Sequence, residues 1–123
     1  MDAFIIEGTK MTPEIKLDGN NNLFSIKGSS RPENPKQFYT PVFDWLTEYF
    51  GKENVKIKFE IQMEYFNTST SKILLDLLEL FEQHNENHEI HVVWYYHEDD
   101  EEMKEAGEEL LDLVEISHEL KML

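Results

Sequence analysis

Val55-Lys56-Ile57-Lys58-Phe59-Glu60-Ile61-Gln62-Met63-Glu64-Tyr65-Phe66-Asn67-Thr68-Ser69-Thr70-Ser71-Lys72 is the stretch that decides the fold. Val55, Ile57, Phe59, Ile61, Met63 and Tyr65 alternate with Lys56, Lys58, Glu60, Gln62 and Glu64, the period of a strand with one apolar and one polar face. After Asn67 the period changes. Ile73, Leu74, Leu77, Leu78 and Phe81 recur at three- and four-residue spacing, which predicts a helix ending around His84-Asn85. A strand that runs through a hydroxyl-rich turn into a helix is a unit of an α/β sheet.

Towards the C-terminus, Ile90 to Tyr96 is nearly all apolar and aromatic, the pattern of an interior strand covered on both faces. Met103, Ala106, Gly107, Leu110 and Leu111 give the acidic segment that follows a helical stripe, and Leu113 to Leu120 reads as a closing strand. This order implies right-handed crossovers and parallel pairing. Towards the N-terminus, Phe4 to Glu7 is a short strand, and Glu14 to Leu17 pairs with Leu23 to Lys27 across Asp18-Gly19-Asn20-Asn21-Asn22 as a hairpin. Gly28 to Asn34 reads as extended loop. Thr40 caps a helix with Pro41 in its first turn and Val42, Trp45, Leu46, Tyr49 and Phe50 on its apolar stripe. Phe38 extends that stripe backwards, but a start near Pro35 would leave Pro41 inside the helix without its donor. The fold expected is α/β: a single mixed β-sheet with an antiparallel N-terminal hairpin, a parallel C-terminal βαβαβ part and about three helices, forming one domain over residues 1–123. The polar face of the Val55 to Tyr65 strand implies that the helices cover the sheet's two sides unequally.

The charge balance excludes several partners. With 26 acidic against 11 basic side chains and a net charge of -15, the chain repels nucleic acid and an anionic membrane surface, and favours basic protein surfaces. The start lacks a signal-peptide pattern, and no apolar run approaches the ~20 residues of a membrane span. A cytoplasmic protein is expected. The absence of cysteine removes disulfides, thiolate nucleophiles and Cys-ligated metals.

Two segments are candidate sites. Asn67, Thr68, Ser69, Thr70 and Ser71 stand at a predicted helix start, where one or two such residues would be enough to cap the free N–H groups. A helix N-terminus also tolerates a phosphate, and Lys72, four residues after Thr68, is placed to meet one. The second segment opens with Glu98-Asp99-Asp100-Glu101-Glu102; eight of the twelve residues from Glu98 to Glu109 are acidic. Acids in a first turn answer the helix dipole, and Asp99, Asp100, Glu101 and Glu102 would also form a docking surface for a basic partner. If both strands are parallel, the two segments share one edge of the sheet. No Asp-x-Asp-x-Asp-Gly loop is present and adjacent carboxylates point apart, so neither metal binding nor a metal-dependent hydrolase is read from Asp99 and Asp100. No phosphate loop, nucleophile elbow or triad signature indicates catalysis or a cofactor.

Gly8-Thr9-Lys10 with Thr12-Pro13-Glu14-Ile15, Gly28-Ser29-Ser30-Arg31-Pro32-Glu33-Asn34, Phe38-Tyr39 with Pro41, Tyr65-Phe66-Asn67-Thr68-Ser69, Trp94-Tyr95-Tyr96, and Asp100-Glu101-Glu102-Met103 with Glu105 and Gly107-Glu108 carry a family resemblance over nearly the whole length. The chain resembles the SiaC-like regulatory phosphoproteins, bacterial proteins of partner-switching systems, and its fold resembles that of anti-sigma-factor antagonists. The resemblance implies a phosphoacceptor at Thr68, a serine/threonine kinase of histidine-kinase-like ATPase type, and a metal-dependent serine/threonine phosphatase. It implies as output partner a diguanylate cyclase, linking the switch to cyclic-di-GMP and biofilm behaviour. The chain departs from the family pattern at Arg31, where an aromatic is expected, and in the hydroxyl run through Thr70. The competing function is a constitutive acidic adaptor that is never phosphorylated.

Overall fold

In the computed structural model, which describes residues 1–123, β1 (Phe4–Ile6), β2 (Glu14–Asp18), β3 (Leu23–Ser30), β4 (Lys56–Phe66), β5 (Glu89–Tyr96) and β6 (Ser117–Met122) form one sheet in chain order. Pairing is antiparallel between β1, β2 and β3, and parallel between β3, β4, β5 and β6. The three crossovers are α1 (Pro35–Tyr49), α2 (Thr68–His84) and α3 (Glu101–Asp112). This is the mixed α/β sheet the sequence implies, with its parallel part beginning one strand earlier, at β3.

The core explains the uneven coverage. Ile57, Phe59, Ile61 and Met63 of β4, with Ile90, Val92 and Trp94 of β5, are buried against the apolar stripes of the helices, while Lys56 and Lys58 are exposed. Each large apolar side chain buried there contributes about 1.5–3 kcal/mol relative to exposure. The expectation that β5 is covered on both faces is corrected. His91 and Tyr95 on its other face are only half-buried, and Val93 is buried on that side in register between Glu60 and Glu119.

Three boundaries also differ. Helix α1 starts at Pro35, capped by Asn34, whose side chain accepts from the Gln37 N–H at 3.1 Å. Pro41 does lie inside that helix without a donor, at a point where the unbonded Gln37 carbonyl belongs to an exposed residue. Burial of Tyr39 together with Val42 outweighs one lost bond. Strand β3 continues through Gly28, Ser29 and Ser30, which pair with β4 rather than forming a loop. Strand β6 begins at Ser117, not Leu113, because Val114 and Ile116 of the connection are buried in the core.

Candidate functional site

Strand β4 changes phase just before the turn. Gly28 pairs with Met63 but Ser29 with Tyr65, so Glu64 is an extra residue, a β-bulge. The alternation therefore reverses. Phe66 faces the helices and meets the Trp94 ring edge-on at 6.1 Å, while Tyr65 turns outward and is 49% exposed. The Arg31 guanidinium carbon lies 5.9 Å from the centre of that tyrosine ring, so the departure at Arg31 is seated on an exposed aromatic.

The five hydroxyl and amide residues of the turn then divide by role. Asn67 is extended, with φ -86° and ψ 176°, and its side chain accepts from the Thr70 N–H at 3.0 Å. Its own N–H donates to the Ser30 carbonyl at 3.2 Å, which ties the cap to β3. Thr70 is fully buried: its hydroxyl lies 2.9 Å from Ser30 Oγ, which in turn lies 2.6 Å from the Tyr39 hydroxyl. This buried chain joins α2, β3 and α1. Burial pushes the Tyr39 phenol above its ordinary pKa, an effect that the nearby Ser30 and Thr70 hydroxyls partly offset.

With Asn67 capping and Thr70 buried, Thr68 and Ser69 are the exposed hydroxyls of the first turn; Ser71 is half-buried. That turn contains no acidic residue, and Lys72 is exposed and makes no ion pair. Ser69 and Lys72 open onto a groove of about 540 Å³ between α1 and α2, lined also by Lys36, Tyr39, Thr40 and Phe43. A larger concavity of about 850 Å³ lies at the opposite edge of the sheet around His88 and His91, and none of the candidate residues lines it.

The acidic turn after β5 lies at the same edge, because β4 and β5 are parallel. His97 Nε2 is 3.5 Å from Glu64 Oε1, joining the start of this turn to the bulge. Asp100 caps α3, its Oδ1 accepting from the Met103 N–H at 3.0 Å, while Asp99, Glu101 and Glu102 are exposed. Beneath them, buried Trp94 donates its indole N–H to the Met103 carbonyl at 3.0 Å. Gly107 lets the helix lie against that indole; a Cβ at this position would stand 2.5 Å from the ring.

Sequence reading passed over Ser30 and Tyr39 as partners of the turn. A signal for Thr70 was present: it stands four residues before Leu74 and seven before Leu77, on the apolar stripe of α2, where a hydroxyl needs a buried partner.

Residues 6–122 match the sequence model of the SiaC family regulatory phosphoprotein. The chain belongs to the SiaC family. A protein of Pseudomonas aeruginosa strain UCBPP-PA14, itself uncharacterised, is 30% identical over 110 residues, covering 89% of this chain and 87% of its own length. SiaC of Pseudomonas aeruginosa has the same fold, with a TM-score of 0.90 at 25% identity over 100% of both chains. The structure of the diguanylate cyclase SiaD in complex with its activator SiaC, also from Pseudomonas aeruginosa, contains a chain that matches with a TM-score of 0.92 at 26% identity, covering 98% of this chain and 99% of that one. As a SiaC-family member the chain is a regulatory protein.

Proposed function

We propose that this SiaC-family protein is a partner switch, reversibly phosphorylated on Thr68 by a kinase of histidine-kinase-like ATPase type and reset by a metal-dependent phosphatase. Its output is a diguanylate cyclase, which the unphosphorylated form binds and activates; SiaC is the activator of the diguanylate cyclase SiaD. The observation that carries this reading is the exposed Thr68 hydroxyl at the start of a helix whose cap is the neutral Asn67 and whose first turn has no acid. The free positive end of such a helix favours a dianion, and Lys72 on the next turn adds a cation. The exposed carboxylates of Asp99, Glu101 and Glu102 on the same edge supply a docking surface beside the modified turn.

Incubation with the ATPase-type kinase and ATP is expected to add one phosphate, read by intact mass, and Thr68→Ala to abolish it while Ser69→Ala does not. A phosphate that survives Thr68→Ala would overturn the assignment. Cyclase binding should be lost on phosphorylation. Binding indifferent to phosphate but lost on charge reversal at Asp99 and Glu101 would instead establish the constitutive adaptor.

A further inference from the structure

Strand β6 is a free edge of the sheet. Nearly all of it is exposed, including Met122 at 52%, and Leu123 beyond it is exposed at 51%. In a parallel ladder alternate residues direct both backbone groups to the neighbouring strand, and the residues between them direct theirs away. Leu123 donates its N–H to the Tyr96 carbonyl at 2.9 Å, which places the odd-numbered residues on the β5 side. The N–H and C=O groups of His118, Leu120 and Met122 therefore point out of the sheet. Such an edge is a template for another strand.

We propose that β6 pairs antiparallel with β6 of a second copy about a twofold axis at Leu120, joining two sheets into one. Among registers centred on Glu119, Leu120 or Lys121, charge selects this one. Outward-facing residues must pair with outward-facing residues, so the axis passes through a residue rather than between two. Centred on Glu119, the pairing sets two carboxylates against each other; centred on Lys121, it opposes two ammonium groups. Centred on Leu120, it sets Glu119 against the second copy's Lys121 and Lys121 against the second copy's Glu119. These are non-hydrogen-bonded pairs, where side chains approach most closely and opposite charge is favourable. Leu120 then faces its own copy, His118 faces Met122, and the exposed Met122 is covered. The Glu119 carboxylate is ready for this role. His91 Nε2 holds its Oε2 at 2.8 Å, which leaves Oε1 for the second copy's lysine. The interface is isologous, so every pair occurs twice. Two copies at -15 each repel, so association strengthens as salt screens the net charge.

Sedimentation equilibrium of the full chain at raised ionic strength should show monomers giving way to dimers with concentration. Lys121→Glu and Glu119→Lys each place like charges opposite one another and should each be monomeric. Mixed in equal amounts, they present opposite charges at both positions and should associate again. Met122→Pro removes an outward N–H, leaves the β5 ladder intact and should be monomeric, with the melting curve of the parent at dilutions where the parent is monomeric too. In the parent dimer, amide exchange should slow at His118, Leu120 and Met122 as concentration rises, and stay constant at Glu119 and Lys121. A chain that remains monomeric to its solubility limit, or a dimer indifferent to both charge reversals, would overturn the proposal.

Discussion

The turns after β4 and β5 are built alike and charged differently. Each carries a strand into a helix at the same edge of the sheet, and each is capped by an Asx side chain that accepts from the third amide at 3.0 Å, Asn67 from Thr70 and Asp100 from Met103. After β5 the cap is a carboxylate followed by Glu101 and Glu102, so the helix dipole is already answered. After β4 the cap is neutral and the first turn holds no acid. Helix α3 is complete as it stands, whereas α2 has an unfilled preference for negative charge at Thr68. The difference also extends below the surface. The α3 turn is held by the Trp94 indole, which packs against Gly107 and donates to the Met103 carbonyl, and the α2 turn by the hydroxyl chain of Ser30, Tyr39 and Thr70.

Breaking the indole anchor should have the largest effect. Gly107→Ala pushes a methyl to 2.5 Å from an indole that is fully buried and held through its N–H, so neither side has room to move. Overpacking of this kind costs about 3 kcal/mol, well above the ~1 kcal/mol that alanine gains in helix propensity. Urea unfolding should show the loss, while phosphorylation of Thr68 in the folded variant continues. Equal stability of the variant and the parent would mean that the acidic turn does not depend on this contact.

The polar anchor should be weaker and more specific. Ser30→Ala leaves the Tyr39 hydroxyl buried without its 2.6 Å partner, while Thr70 keeps the Ser30 carbonyl at 3.3 Å. One orphaned hydroxyl costs about 2 kcal/mol. Hydrogen exchange in the first turn of α2 should accelerate while that of α3 stays constant. Tyr39 adds a pH signature. Its folded-state pKa lies above the ordinary 10.0, so its contribution is whole below that pH and is withdrawn as pH climbs through the raised value. Tyr39→Phe should remove this alkaline loss; an alkaline limb identical to the parent's would assign the loss to another group.

Much of this architecture was legible because it rests on periodicity. The alternation from Val55 and the stripe from Ile73 to Phe81 report burial directly, and they place the strand, the helix and the turn between them. The features that escaped depend on partners distant in sequence. Ser30 and Thr70 are 40 residues apart, and nothing local to either announces the bond. The bulge at Glu64 adds a residue without breaking the apolar pattern, since Tyr65 and Phe66 are both aromatic and either satisfies an inward position. Pro41 misled for a related reason: its local cost is fixed, but the stripe formed by Tyr39 and Val42 is decided by the sheet beneath it.

The smallest effect tests the comparison most closely, because it exchanges only the caps. Asn67→Asp adds a carboxylate where the α2 dipole is unanswered and should stabilise the protein by about 0.5 kcal/mol, whereas Asp100→Asn should remove a similar amount. Both shifts should shrink in high salt, which screens exposed charge. The two substitutions differ in their functional consequence. A carboxylate at position 67 occupies part of the field that a phosphate on Thr68 would use, so phosphorylation should stabilise Asn67→Asp less than it stabilises the parent. Thermal melts of the four forms, parent and variant with and without phosphate, measure that coupling. Additive shifts would mean that the charge difference between the two turns has no bearing on where the phosphate is accepted.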